Sequence, residues 1–246
     1  MTVQFLKHDG ETLAWQHQAG NRPVGVVFLG GWCSDMNGSK AVFLADWCAH
    51  RGIPLTRLDY RAHGQSSGQL VDFTIGGALA DVLAVLQETA QGPQVIVGSS
   101  MGGWLALLLA TRHPQYVKAM VGIAAAPDFT TDLMYPNLPT AEKETLKHAG
   151  QCQLPNGYQP APVMIGQKLF DESEQHLLLR HPLNITVPVR LLHGLRDDDV
   201  PYARSLLLMD RITGADVRTT LIKDGDHRLT RPQDLALLAQ QIDECL

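Results

Sequence analysis

The chain has 246 residues, 45% of them apolar and 18% charged, with a formal net charge of −5. That is enough for one sizeable α/β domain of ordinary globular composition. Lacking a Lys/Arg block it has no basic face to neutralise phosphates, and no apolar run approaches the ~20 residues that cross a bilayer, so nucleic acid and stable membrane insertion are both excluded.

The opening residues, "MTVQFLKHDGETLAWQ", contain neither a signal-peptide core nor an Arg/Ser-rich transit pattern, so the expected compartment is the cytoplasm. They also hold two strand-like runs, "TVQFL" and "TLAWQH", joined by the turn "KHDGE", which predicts a hairpin. "PVGVVFL" is a continuous apolar run, as in a strand buried on both faces, and it ends in "GGWCSD". "SKAVFLADWCAHRG" has helical spacing and stops at Gly52; "IPLTRLDY" is the next strand, followed by the polar turn "RAHGQSSGQ". "IGGALADVLAVLQETAQG" reads as a helix, "QVIV" as a strand, "GWLALLLATRH" as a helix and "VKAMVGIAAA" as a strand. Beyond residue 184 the alternation resumes with strand "VPVRLLHG", helix "YARSLLLMDRI", strand "VRTTLI" and helix "DLALLAQQIDE". Such alternation implies right-handed crossovers and a mostly parallel sheet with helices on both faces. Residues 128–184 break the rhythm. They are rich in Pro around short helical pieces, too long for a simple connection, and without enough regular apolar pattern for a core of their own. They read as an inserted helical lid, with 1–127 and 185–246 forming the core.

Two stretches fit G-x-S-x-G, a pattern that can expose a serine nucleophile at a sharp strand-to-helix turn: "GSSMG" around Ser100 and "GQSSG" around Ser66. Only the first has a strand directly before it and a helix directly after. Ser66 is separated from its strand by "RAH" and precedes no helix, so it reads as a turn residue.

A serine hydroxyl needs a base to take its proton and a third group to hold that base. His227, in the polar loop after "TTLI", is the only histidine beyond His193 and is the expected base. The acid should follow a late strand, where "HGLRDDDVP" offers three adjacent aspartates. Asp197 can still aim back across the sheet edge, Asp199 is the alternative, and Asp198 faces solvent. The developing oxyanion needs two donors. The amide of Met101 follows the nucleophile, and the second is expected from "GGWCSD", with Trp32 preferred and Cys33 as the alternative. His63 and His193 read as structural or surface residues, and Cys33, Cys48, Cys152 and Cys245 as free thiols. Met134, Tyr158, Met164 and Phe170 of the inserted segment are candidates to line an acyl pocket, or equally its packing.

With these residues in hand, the chain resembles an α/β-hydrolase over essentially its whole length, and within that family the branch of mitochondrial palmitoyl-protein thioesterases that also cleave acyl glucuronides. The stretches that carry the resemblance are "DMNGSKA", "LDYRAHGQSSG", "GSSMGGW", "VPVRLLHGLRDDDVP" and "GDHRL". It implies the α/β-hydrolase fold, a catalytic set of Ser100, Asp197 and His227, and thereby Asp197 rather than Asp199. The implied activity is hydrolysis of a carboxylic ester or acyl thioester, on a small molecule or an acylated protein, through an acyl-enzyme and with no cofactor or metal. Amide hydrolysis on the same scaffold, or a non-catalytic binding protein that keeps the fold, are the alternatives; an Asp-nucleophile dehalogenase is disfavoured because position 100 is Ser.

Overall fold

A computed structural model describes residues 2–155 and 161–246. The hairpin opens the chain: β1 (Gln4–His8) and β2 (Glu11–Gln18) are joined at Asp9 and Gly10, both with positive φ, which matches the twist of a two-residue hairpin turn. β3 (Val26–Leu29), α1 (Ser39–Arg51) and β4 (Leu55–Leu58) follow, then α2 (Ile75–Thr89), β5 (Gln94–Ser99), α3 (Met101–Arg112) and β6 (Val117–Ile123). After residues 128–184 come β9 (Val189–Gly194), α7 (Ala203–Arg211), β10 (Val217–Ile222) and α8 (Pro232–Asp243), the numbering allowing for β7, β8 and α4–α6 in between.

The eight-stranded sheet has the order β1-β2-β4-β3-β5-β6-β9-β10, with β1, β2 and β4 paired antiparallel and all later neighbours parallel. Because both faces are covered, β3 is apolar throughout and the middle of β5 is Val95–Ile96–Val97. One core lies between the sheet and α2 and α3, centred on Trp104, and the other lies beneath α1 and α8. Strand order reverses beside β3, and in such sheets sites form at the carboxyl ends of the strands on either side of the reversal. The ends of β3 and β5 lie there.

The run "VKAMVGIAAA" is strand only as far as Ile123. Ala124 turns to φ 45°, and the Ala126 amide donates to the Ser100 carbonyl instead of extending the ladder.

Residues 128–184 contain α4 (Tyr135–Asn137), α5 (Thr140–Ala149), the antiparallel pair β7 (Gln151–Leu154) and β8 (Val163–Gly166), and α6 (Gln167–Ser173). The segment is therefore not wholly helical. It also has the small apolar cluster that its sequence did not suggest: Leu138, Leu146, Cys152, Ile165 and Phe170. Each of these comes from a different short element or turn, so no window shows a period. Leu169, Leu178 and Leu179 join the main core, which ties the segment to the rest of the chain.

The glycines at the start of α3 set how closely that helix meets the sheet. A Cβ at Gly102 would lie 2.1 Å from the Leu29 carbonyl oxygen, and one at Gly98 would lie 2.3 Å from the Gly102 oxygen. Gly102→Ala is expected to push α3 off the end of β3, costing about 3 kcal/mol or more. Thermal unfolding measures this; an unchanged midpoint would contradict the packing described.

Candidate active site

The β5–α3 turn has no loop residue except Ser100, which sits at φ 54° and ψ −118°, outside the favoured regions for a side-chain-bearing residue. The strain is held by three backbone hydrogen bonds. The Ser100 amide donates to the Ile123 carbonyl at 2.9 Å, and the Ser100 carbonyl accepts from Gly103 at 2.9 Å and Ala126 at 3.0 Å. The turn thus presents its side chain at the carboxyl edge of the sheet. Ser100 and His227 line one cavity of 250 Å³, together with Gly31, Trp32, Cys33 and Lys40.

Behind His227 lies Asp197, whose side chain is fully buried. Its Oδ2 accepts from His227 Nδ1 at 2.8 Å, and its Oδ1 accepts from the amides of Asp199 at 3.0 Å and Val200 at 2.8 Å. Asp198 and Asp199 are exposed. Burial alone would raise the Asp197 pKa. The hydrogen bonds from His193, His227 and the Val200 amide outweigh it and hold the carboxyl well below the usual carboxylate range.

His193 has a larger part than its sequence position suggests. It is completely buried, with Nε2 at 3.1 Å from Asp197 Oδ2 and 2.9 Å from the Val200 carbonyl, and Nδ1 at 2.7 Å from Ser205 Oγ. Two acceptors at Nε2 require a proton there. Two imidazoles therefore converge on one carboxylate oxygen. The only sequence signal is His193 ending a strand four residues before Asp197.

Of the candidate oxyanion donors, Cys33 is engaged: its amide donates to His63 Nε2 at 3.1 Å. Among the described residues, the amides of Trp32 and Met101 meet no protein acceptor. Met101 also opens α3, where the helix dipole favours negative charge. Ser66 is a structural residue: its hydroxyl donates to the Asp59 carbonyl at 2.6 Å and accepts from the Ala14 amide at 2.8 Å.

Lys40, at the start of α1, lines the same cavity and was not marked by its sequence context. Its Nζ donates to the Arg228 carbonyl at 2.6 Å, one residue beyond His227. Burial pushes its pKa down to about 8, against the pull of Asp226. The candidate pocket residues lie elsewhere. Phe170 is buried against Tyr135 in the small cluster, Met134 is half-buried between that cluster and the main core, and Met164 is exposed. None of these three lines the Ser100 cavity, and Tyr158 lies outside the described residues. Asp197, Asp199 and His227 offer three ligand atoms within 4.8 Å, but two of these already bond each other as the Asp197–His227 pair.

Residues 25–150 match the family model for the alpha/beta hydrolase fold, and the whole chain aligns at 40% identity with the mouse mitochondrial palmitoyl-protein thioesterase ABHD10, covering 82% of that protein. The chain belongs to the α/β-hydrolase family. The solved structure of mouse ABHD10 superposes on this α/β-hydrolase with a TM-score of 0.88 at 39% identity, covering 99% of this chain and 98% of that one. A solved structure from Agrobacterium vitis gives a TM-score of 0.92 at 35% identity, covering 100% and 99%. These relatives correct one expectation. The mouse, rat, cattle and human proteins that match over the full chain are all named as mitochondrial, against the cytoplasmic compartment inferred from the opening residues.

Asp197→Asn is expected to lower kcat roughly 10⁴-fold, because an amide cannot hold the imidazole in the same state. The same variant tests the low native pKa. A depressed carboxylate stabilises the fold above the pKa of the unfolded chain and loses that contribution as pH falls. The stability gap between the two proteins should be full at neutral pH, begin to narrow below about pH 4 and close only in stronger acid. Denaturant titrations at several pH values measure it; a gap that widens on acidification contradicts the assignment.

Proposed function

We propose that the protein is a cofactor-independent serine hydrolase of carboxylic esters or acyl thioesters. The supporting observation is the junction of a strained Ser100 and a carboxylate-backed His227 on the walls of one cavity, beside two amides without protein acceptors. His227 takes the Ser100 proton as the hydroxyl oxygen attacks the acyl carbon. The anionic carbonyl oxygen is received by the Trp32 and Met101 amides, and Asp197 stabilises the imidazolium. His227 then delivers the proton to the departing alcohol or thiol. Water, deprotonated by the same imidazole, attacks the acyl-enzyme and releases the acid.

An ester or thioester is favoured by the family and by relatives named as palmitoyl-protein thioesterases. The substrate is then a small acyl ester or thioester, or an acylated protein. The cavity wall beside His227 carries Lys40, which suits a substrate with an acidic substituent near the scissile bond. Residues 128–184 act in this reading as a lid, with Gly166 packed closely against Val71.

A fluorophosphonate probe should label the protein rapidly, and Ser100→Ala should abolish both labelling and ester turnover. Ser66→Ala should keep both while losing about 1 kcal/mol of stability, since its two part-buried hydrogen bonds disappear. Labelling that survives Ser100→Ala overturns the assignment. A panel of p-nitrophenyl esters, acyl thioesters and aminoacyl amides tests bond type; amide turnover without ester turnover would reverse it. A chelator should leave the rate unchanged.

A further inference from the structure

The stretch "YRAHGQSSG", which contains the second serine pentad, supplies none of the reacting groups. Its contacts converge on the loop that follows β3. Tyr60 Oη donates to the Gly30 carbonyl at 3.1 Å, and His63 Nε2 accepts from the Cys33 amide at 3.1 Å. Behind them the Asp59 carboxylate accepts from the amides of Met36 at 2.7 Å and Gln65 at 2.8 Å, so the turn and the loop are fastened to one buried side chain.

The consequence lies in the order of the peptide planes. The Gly30 carbonyl belongs to the plane before Gly31, and the Cys33 amide to the plane after Trp32. The plane between them carries the Trp32 N–H at one side and the Gly31 carbonyl at the other, and that carbonyl accepts from the Ser34 amide at 3.2 Å. In a trans peptide the N–H and C=O point oppositely. With both flanking planes anchored and its own carbonyl taken, the Trp32 N–H has one direction left. Cys33 meets this geometry at φ 55°, a conformation costly for a residue with a side chain.

The tautomer of His63 is fixed as well. Nδ1 lies 3.1 Å from the Arg61 carbonyl and must donate, which leaves the Nε2 lone pair for Cys33. The ring is 4% exposed and lies against Trp32, Tyr60 and Phe73. A protonated ring would set an N–H against the Cys33 N–H. Burial lowers the pKa of His63 and keeps it neutral, against the raising influence of the Arg61 carbonyl and Asp81.

We propose that His63 is a positioning residue for the oxyanion hole: by holding the Cys33 amide it withdraws that donor and aims the Trp32 amide at the reacting carbonyl. This rests on the reading of Ser100 as nucleophile. The test compares His63→Gln, whose side-chain oxygen reaches the Nε2 position, with His63→Asn, which reaches only Nδ1. For Asn, kcat on an ester is expected to fall about 10²-fold, the size of a lost oxyanion donor, with KM changed less than about threefold. Affinity for a trifluoromethyl ketone, which adds to Ser100 as an anionic hemiketal, should fall by a similar factor. Gln should recover at least about tenfold of both losses. Thermal melts identify the folded variants, and the Gln protein alone decides the matter if Asn does not fold: wild-type-like ketone affinity supports the proposal, and a loss like that of a missing donor overturns it. Equal activity of both variants, equal loss in both, or a loss confined to KM also overturns it. Failure of the underlying reading looks different, since Ser100→Ala would then still label and turn over.

Discussion

The site is organised around a backbone conformation that costs energy, the φ 54° and ψ −118° of Ser100. A residue with a side chain stays there only when its surroundings leave no alternative. The surroundings here are a parallel ladder ending in Ser99, a helix starting at Met101, and backbone hydrogen bonds that tie the Ser100 amide to the Ile123 carbonyl and the Ser100 carbonyl to the Gly103 and Ala126 amides. Gly98 and Gly102 let these elements close to distances at which a Cβ would overlap backbone oxygen. The main core supplies the force, since α3 is buried along nearly its whole length and cannot back away from the sheet.

Around this point the remaining polar groups are arranged by subtraction. Buried donors and acceptors are costly when unpaired, and most here are paired within the protein. Cys33 gives its amide to His63, Gly31 its carbonyl to Ser34, and Asp197 shares its oxygens among two imidazoles and two amides. Among the described residues, the amides of Trp32, on the cavity wall, and of Met101, next to Ser100 in the chain, meet no protein acceptor. His193 and His63 have parallel parts in this arrangement. Each is a buried imidazole with an N–H held by a carbonyl or carboxylate, one steadying the Asp197 carboxylate and the other the loop after β3.

Identity of 37–40% with ABHD10 proteins over the full chain places this structure securely in its family, while the shape of the Ser100 cavity is its own evidence about substrate. That cavity is walled by the loop after β3, the start of α1 and the His227 loop, with a lysine in the wall, and not by the apolar residues of 128–184. Phe170 and Met134 are occupied in holding that segment together and onto the core.

Much of this was legible in the sequence. Strands buried on both faces appear as unbroken apolar runs, helices end at Gly52 or before Pro114, and a pentad flanked directly by strand and helix separates Ser100 from Ser66. Those signals are local, because backbone sterics and burial act over a few residues, and so the fold class could be determined from the chain by itself. Tertiary structure alone decided which amides stay unpaired, that His63 and His193 serve the site, that Lys40 enters the cavity wall, and that four short elements of 128–184 share a small core. Each of those depends on partners brought together across the fold: 30 residues separate Cys33 from His63, and 188 separate Lys40 from Arg228. A hydrogen bond or a shared cavity wall leaves no period in the sequence, because it is set by where the elements come to rest against one another.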